Sequence, residues 1–143
     1  RILPKELDAT FISPSLPAVM EYVRHPGIET IFVGSKISRS SLISVGGETI
    51  SKISELKADL CFLGINAISA EHGVTDNDWD VVQVKKAMIE SSAKVIALTI
   101  AEKVNVAHRI KVCDISSIDI LITDLDPENP LFDPFRAAGV QVV

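Results

Sequence analysis

The sequence holds no uncharged apolar run of about 18 residues, the length needed to cross a bilayer as a helix, so no membrane span is expected. Its only cysteines are Cys61 and Cys113. They lack C-x-x-C spacing and form no zinc pattern with His25, His72 or His108, so they read as reduced core thiols of a cytosolic protein. Basic residues form no stripe, and a net charge of −5 argues against this chain gripping nucleic acid by itself, since phosphate neutralisation needs a basic surface. GxGxxG, GxxxxGK[ST] and GxSxG are all missing, and no cofactor is expected. The run Asp76-Asn77-Asp78-Trp79-Asp80 imitates a calcium loop, but Val81 and Ala87 stand where that loop needs glycine and glutamate. No metal site is expected, and the three acids read as helix-start charge. The opening Arg1-Ile2-Leu3-Pro4 has neither a methionine nor a signal-peptide apolar stretch, which reads as a fragment of a longer cytoplasmic protein.

What is present is a chain of 143 residues that is 47% apolar, enough for a real core, and the length favours one domain over 1–143. Its centre is Asp59 to Lys103. Leu60 to Leu63, closed by Gly64, is a short apolar run suited to a strand buried on both faces, and Lys94 to Thr99 is another. Between them Thr75 reads as a helix cap, with Asp78 its capping-box partner. In the helix that follows, Val81, Val84 and Met88 share a face that Val82 and Ile89 widen, at about 100° per residue. Lys85 falls inside that apolar arc while Lys86 points away. Two readings stand for Lys85: its stem lies along the core with the ammonium reaching water, or it faces a ligand.

On either side the pattern repeats. Asp8 to Ile12 and Ile28 to Val33 read as strands around a helix that begins near Pro17, with Val19, Met20 and Val23 inward. Ile37 to Val45 reads as an edge strand or hairpin arm. Gly46-Gly47 leads into a helix spaced by Ile50, Ile53, Leu56 and Lys57. Later, Arg109 to Val112 and Ile118 to Ile122 read as strands, Leu131 to Ala138 as a helix capped by Gly139, and Val140 to Val143 as a terminal strand. This alternation predicts an α/β fold with a mostly parallel, Rossmann-like sheet covered by helices on both faces. Polar turns follow the strands at Ser13 to Ser15, Gly34-Ser35-Lys36, Gly64 to Asn66, Glu102 to Asn105 and Thr123 to Asp126. Parallel strands end on one edge, so these turns are expected to converge on a cleft whose hydroxyls, amides and lysines suit a phosphorylated ligand.

Several segments carry a resemblance. Phe62-Leu63-Gly64-Ile65-Asn66-Ala67, Gly73-Val74-Thr75, Val84-Lys85-Lys86-Ala87-Met88, Lys103 and Leu121-Ile122-Thr123-Asp124, in that order and spacing, resemble the carboxyl-terminal sensor domain of DeoR-type bacterial transcription regulators. Ile12-Ser13-Pro14-Ser15-Leu16, Val33-Gly34-Ser35-Lys36 and Ser44-Val45-Gly46 fall where that family has earlier strand-end turns. The resemblance implies a fold related to the sugar-phosphate isomerases and coenzyme A transferases, a phosphorylated sugar or related metabolite as effector, and homo-oligomerisation. It implies DNA binding only through an amino-terminal winged helix-turn-helix, which this sequence does not include. Effector-binding positions implied by the motifs and the polar turns are Ser13, Ser15, Gly34, Ser35, Lys36, Gly64, Asn66, Lys85 and Lys103. The sequence departs from the family at Pro14 for asparagine, Ser35 and Ala67 for glycine, and Ile100 for an aspartate that could accept hydroxyl hydrogen bonds.

The expected function is therefore effector sensing, with no catalytic residue. The alternatives are a sugar-phosphate isomerase or hydrolase on the same fold, for which Glu71, His72 and Asp124 are the acid/base candidates, and an oligomerisation module with a vestigial pocket.

Overall fold

The computed structural model describes residues 3–143, and the chain divides into two compact units, Arg1–Ile53 and Ser54–Val143. In the first, strand β1 (Ala9–Ser13) runs parallel to β2 (Ile28–Phe32), joined by helix α1 (Leu16–Tyr22). Ser15 caps α1 by accepting from the Ala18 amide, and Pro17 sits in its first turn, where a missing N–H costs nothing. Phe11 of β1 meets Tyr22 of α1 edge to face with ring centroids 4.8 Å apart. The expected inward side of α1 is not realised: Met20 and Val23 are exposed and no α1 residue is fully buried. A helix of two turns can turn few side chains inward, and here Tyr22 makes the ring contact. Two-residue strands β3 (Lys36–Ile37) and β4 (Ser44–Val45) pair antiparallel, which is the hairpin arm expected from 37–45. Helix α2 (Gly47–Ser54) follows and stops short of Leu56 and Lys57, which the spacing had included.

The second unit carries a four-stranded parallel sheet in the order β11-β10-β8-β5, built from β5 (Ala58–Gly64), β8 (Ser92–Thr99), β10 (Ile120–Thr123) and β11 (Gln141–Val142). Together with its helices this makes the chain an α/β protein with a Rossmann-like parallel sheet. Helix α3 (Trp79–Glu90) packs on β5 and β8, and the short α4 (Asp133–Ala137) packs on β11. Asp78, not Thr75, caps α3, accepting from the Asp80 and Val81 amides. Thr75 lies inside β7, three residues too early to cap, and its hydroxyl instead accepts from the His108 amide at 2.8 Å.

Between β5 and α3 the chain inserts a hairpin that the sequence reading missed. Strands β6 (Ala67–Ser69) and β7 (Gly73–Asp76) pair antiparallel, and β7 pairs in turn with β9 (Ile110–Cys113). The run Gly64 to Asp76 looks like a polar turn because serine, glycine, histidine and acids dilute its apolar residues. Ala67, Ile68 and Val74 are nevertheless completely buried.

The core lies in this unit, with Leu63, Ile68, Val74, Val82, Val84, Leu121, Phe132 and Phe135 almost wholly removed from water. Phe132 and Phe135 meet edge to face at 5.7 Å. β5 is not buried on both faces: Cys61 and Leu63 point into this core, while Leu60 and Phe62 are about half exposed at 48% and 53%. Side chains alternate across a strand, so a continuous apolar run still sends every second residue to the other face. Further along that face, Leu98, in register with Gly64, and Ile122, in register with Leu98, are exposed as well.

Cys61 and Cys113 are free thiols in and beside this core. Burial pushes both up to about 11, only partly opposed by a hydrogen bond to Ser92 for Cys61 and by the Val74 backbone for Cys113. The thiolate is the reactive form. A colorimetric disulfide reagent at pH 8 is therefore expected to label neither thiol quickly in the native protein and both after denaturation. Rapid native labelling would contradict this placement.

Candidate functional site

The carboxyl ends of β5, β8 and β10 lie on one edge of the parallel sheet, so the turns Gly64–Asn66, Glu102–Asn105 and Thr123–Asp126 leave it side by side. Two cross-links hold them there. The Asp124 carboxylate, after β10, accepts from the Ala101 amide at 2.8 Å and so fixes the start of the 3₁₀ turn Ala101–Lys103 that follows β8. The Asn105 amide donates to the Ile68 carbonyl at 2.7 Å, tying the far end of the same turn to β6. Asn105 adopts φ +60, a left-handed conformation that asparagine tolerates better than most residues. Lys103 thus sits on a turn pinned at both ends, partly exposed, and among the described residues its ammonium has no hydrogen-bond or ion-pair partner.

Beneath the Gly64–Asn66 turn lies a buried ion pair. Lys85 of α3 points its ammonium at the Gly64 carbonyl, 2.9 Å away, and at Asp76 Oδ2, 3.1 Å away, with only 10% of the lysine side chain and 5% of the aspartate side chain exposed. The ammonium does not run out to water, so the first of the two sequence readings of Lys85 fails. Lys86 is exposed as expected. Asp76 is saturated: Oδ2 also accepts from Asn66 Nδ2 at 2.8 Å, and Oδ1 accepts from the Asn77 and Asp78 amides at 2.7 and 3.2 Å. Burial alone would raise its pKa, but the Lys85 charge and hydrogen bond, with those from Asn66 and the Asp78 amide, outweigh it and leave Asp76 below the usual carboxylate value.

Asp76 is the buried partner of Lys85 that the sequence pattern does not single out. In sequence it groups with Asp78 and Asp80 as helix-start charge, yet it ends β7 with its carboxylate turned inward, whereas Asp78 and Asp80 lie at the helix start. The available signal was Lys85 inside an apolar arc, since a buried cation requires an anion close by.

In the first unit, the other expected residues form a separate group. Ser13 Oγ accepts from the Ser15 amide at 3.1 Å, and the Ser15 hydroxyl is taken up as the α1 cap. The Gly34-Ser35 turn is held by a buried hydroxyl pair: the Ser35 amide donates to Ser44 Oγ at 2.7 Å, and Ser44 and Thr49 share a 2.6 Å hydrogen bond. The Ser44 amide donates to the Pro14 carbonyl, which links this turn to the first. Gly34 is packed against the Phe32 ring, where a Cβ would come within 2.7 Å. The Ser35 hydroxyl faces Glu48, and the Lys52 hydrogen bond and charge, with Ser35, keep Glu48 below the usual carboxylate value. Lys36 lies in β3, exposed, and not in the turn. The structure therefore gathers Gly64, Asn66 and Lys85 around Asp76 with Lys103 on the adjoining strand end, and gathers Ser13, Ser15, Gly34 and Ser35 around Ser44.

A family model described as the DeoR C terminal sensor domain matches residues 1–125. The chain belongs to that family. Its relatives include the HTH-type transcriptional regulator GolR of Listeria innocua, 28% identical over 98% of this chain and 57% of the relative. The HTH-type transcriptional repressor GlcR of Bacillus subtilis is 29% identical over 96% of this chain and 53% of the relative. The glycerol-3-phosphate regulon repressor of Haemophilus influenzae is 33% identical over 59% of this chain and 33% of the relative. The chain thus spans about half the length, or less, of the curated relatives it matches. As a DeoR sensor domain it shares its family with transcriptional regulators, as the resemblance implied. No described helix is long and apolar enough to cross a membrane, and among the described residues no cluster of histidine, cysteine and acids is arranged to hold a metal ion.

Glu71 and His72, two of the acid/base candidates, sit exposed on the turn joining β6 to β7, with Nε2 of His72 3.7 Å from the Glu71 carboxylate. Asp124, the third, is engaged at the Ala101 amide.

Proposed function

We propose that this chain senses a phosphorylated sugar or related metabolite at the carboxyl edge of its four-stranded sheet, and that occupancy changes DNA binding by a winged helix-turn-helix outside the chain. The observation that carries the reading is the meeting of the Gly64–Asn66 turn with the Lys103 turn on adjacent strand ends, where an unpaired ammonium stands on a cross-linked backbone. Because the backbone of the turn is already ordered, binding an anion there costs the freedom of the lysine side chain and not that of the turn. The named relatives support the regulatory half: all three carry regulator or repressor names, and one is named for glycerol-3-phosphate. Sensing fits better than catalysis, because Asp124 already has a structural partner and His72 is exposed on the turn joining β6 to β7.

In this reading Lys103 contacts the phosphate, Asn66 and Gly64 contact the body of the ligand, and Lys85 holds Gly64 in place. Ser13, Ser15, Gly34, Ser35 and Lys36 enter through the family resemblance alone, and a phosphate beside Ser35 would meet the Glu48 carboxylate. Binding becomes a signal only if the ligand prefers one of two arrangements of the whole regulator, since equal affinity for both shifts nothing.

Two measurements on the full-length protein test this. Lys103→Ala is expected to weaken binding of phosphorylated metabolites by roughly 10- to 100-fold in calorimetry, the usual worth of a charge-assisted hydrogen bond. Its melting temperature should stay close to wild type, because a partly exposed turn lysine with no ion pair contributes little to stability. Operator affinity in a fluorescence anisotropy titration should change when a bound metabolite is added. Unchanged metabolite affinity in Lys103→Ala removes that residue from the site, and turnover of a sugar phosphate that depends on His72 would replace sensing with catalysis.

A further inference from the structure

Which way the Asn66 side-chain amide faces follows from its neighbour. Its nitrogen lies 2.8 Å from Asp76 Oδ2, and Asp76 is held in the charged form by Lys85 and two backbone amides. Turning the amide over would set a carbonyl oxygen against that carboxylate, two acceptors with no proton between them. Asn66 therefore gives one N–H to Asp76 and turns Oδ1 outward. The residue is exposed, and among the described residues Oδ1 has no partner. The second N–H stays free beside it.

Phosphate oxygens are acceptors, so Oδ1 repels them. An alcohol fits the pair, donating to Oδ1 and accepting from the free N–H. Across the edge, Ile100 is exposed at the end of β8 and offers no acceptor. Asn66 is therefore a hydroxyl-accepting group at the end of β5, its direction set by the chain of Lys85, Asp76 and Asn66, whose first two side chains are almost wholly buried. We propose that Asn66 is the specificity-determining residue of the metabolite site, selecting ligands that carry a hydroxyl within reach of Oδ1 when their phosphate is on Lys103. The inference rests on the sheet edge being the metabolite site.

The test compares inorganic phosphate and ethyl phosphate with glycerol 3-phosphate, a pentose 5-phosphate and a hexose 6-phosphate, by calorimetry on the full-length protein. At least one hydroxylated probe is expected to bind wild type roughly tenfold or more tightly than ethyl phosphate. Asn66→Ala should bring that probe down to the level of ethyl phosphate. Equal binding of hydroxylated and bare phosphates by wild type overturns the inference and leaves the metabolite site standing, and needs no variant. A hydroxyl preference that survives in Asn66→Ala also overturns it. If none of the phosphates binds, the sensing proposal fails and this inference fails with it.

Discussion

Asp76→Ala is expected to lose about 3–5 kcal/mol of folding stability, the cost of leaving a buried charge without its partner. The reason is the company Asp76 keeps. Removing the carboxylate strands the Lys85 ammonium beside a single carbonyl, that of Gly64, in a site where 10% of the lysine side chain reaches water. It also unpairs the Asn66 amide and two backbone N–H groups at the start of α3. Lys85→Met should cost less than Asp76→Ala. Methionine fills a similar volume, and the carboxylate keeps three hydrogen bonds and lies near the positive end of α3. Combining the two substitutions should recover part of the loss, which denaturant titrations arranged as a double-mutant cycle would measure. Additivity of the two would mean that the pair contributes nothing as a pair.

The same carboxylate predicts a pH dependence. Its pKa is lower in the folded chain than the ordinary value of about 3.9 in an unfolded one. The unfolded state then binds the proton more readily, so this contribution is fully present above that ordinary value and drains away as pH falls through the lowered one. Melting temperature should decline more steeply below about pH 4 in wild type than in Asp76→Asn, which has no such proton to take up.

Gly73→Ala is expected to disrupt the β6-β7-β9 sheet, at a cost of roughly 2–5 kcal/mol from two sources. Gly73 holds φ +71, where an L side chain is strained, and a Cβ there would stand 2.1 Å from the Cys113 carbonyl oxygen. That oxygen belongs to the backbone of β9 and can withdraw only if the strands part. Because β7 ends in Asp76, the damage should reach the Asn66 turn. Amide exchange should quicken along Ala67–Ser69 and Ile110–Cys113, and Cys113, shielded in the native fold, should become reactive at pH 8. A variant as stable and as slowly exchanging as wild type would show that the strand tolerates the side chain.

Much of the scaffold could be read from local pattern. β1, β2, β5, β8 and β10 all fall on the apolar runs that mark them, each ended by its polar turn, because strand content and strand ends are properties of a few consecutive residues. Gly139 capping α4 at φ +93 and Pro17 opening α1 are equally local. The β6-β7 hairpin has no such local mark, for the complementary reason. Its strands are three and four residues long, rich in small and polar side chains, and stable only through pairing with β9, which comes 34 residues after the hairpin.

The candidate site divides the same way. Residue types and their order were enough to place Gly64, Asn66 and Lys103 after strands, and to mark Lys85 as out of keeping with its helix face. Which partner neutralised Lys85, and hence which way Asn66 points, depended on β7 bringing Asp76 beneath the turn.

By itself the sequence determined the α/β class, the family and the set of polar strand-end turns, since each is encoded by periodicity and motif within short stretches of chain. Only the tertiary structure decided that Lys85 is buried against Asp76 and that Lys103 is left unpaired on a cross-linked turn. Ion pairing and hydrogen-bond direction depend on distances of about 3 Å between residues far apart in the chain, and no local pattern carries that information.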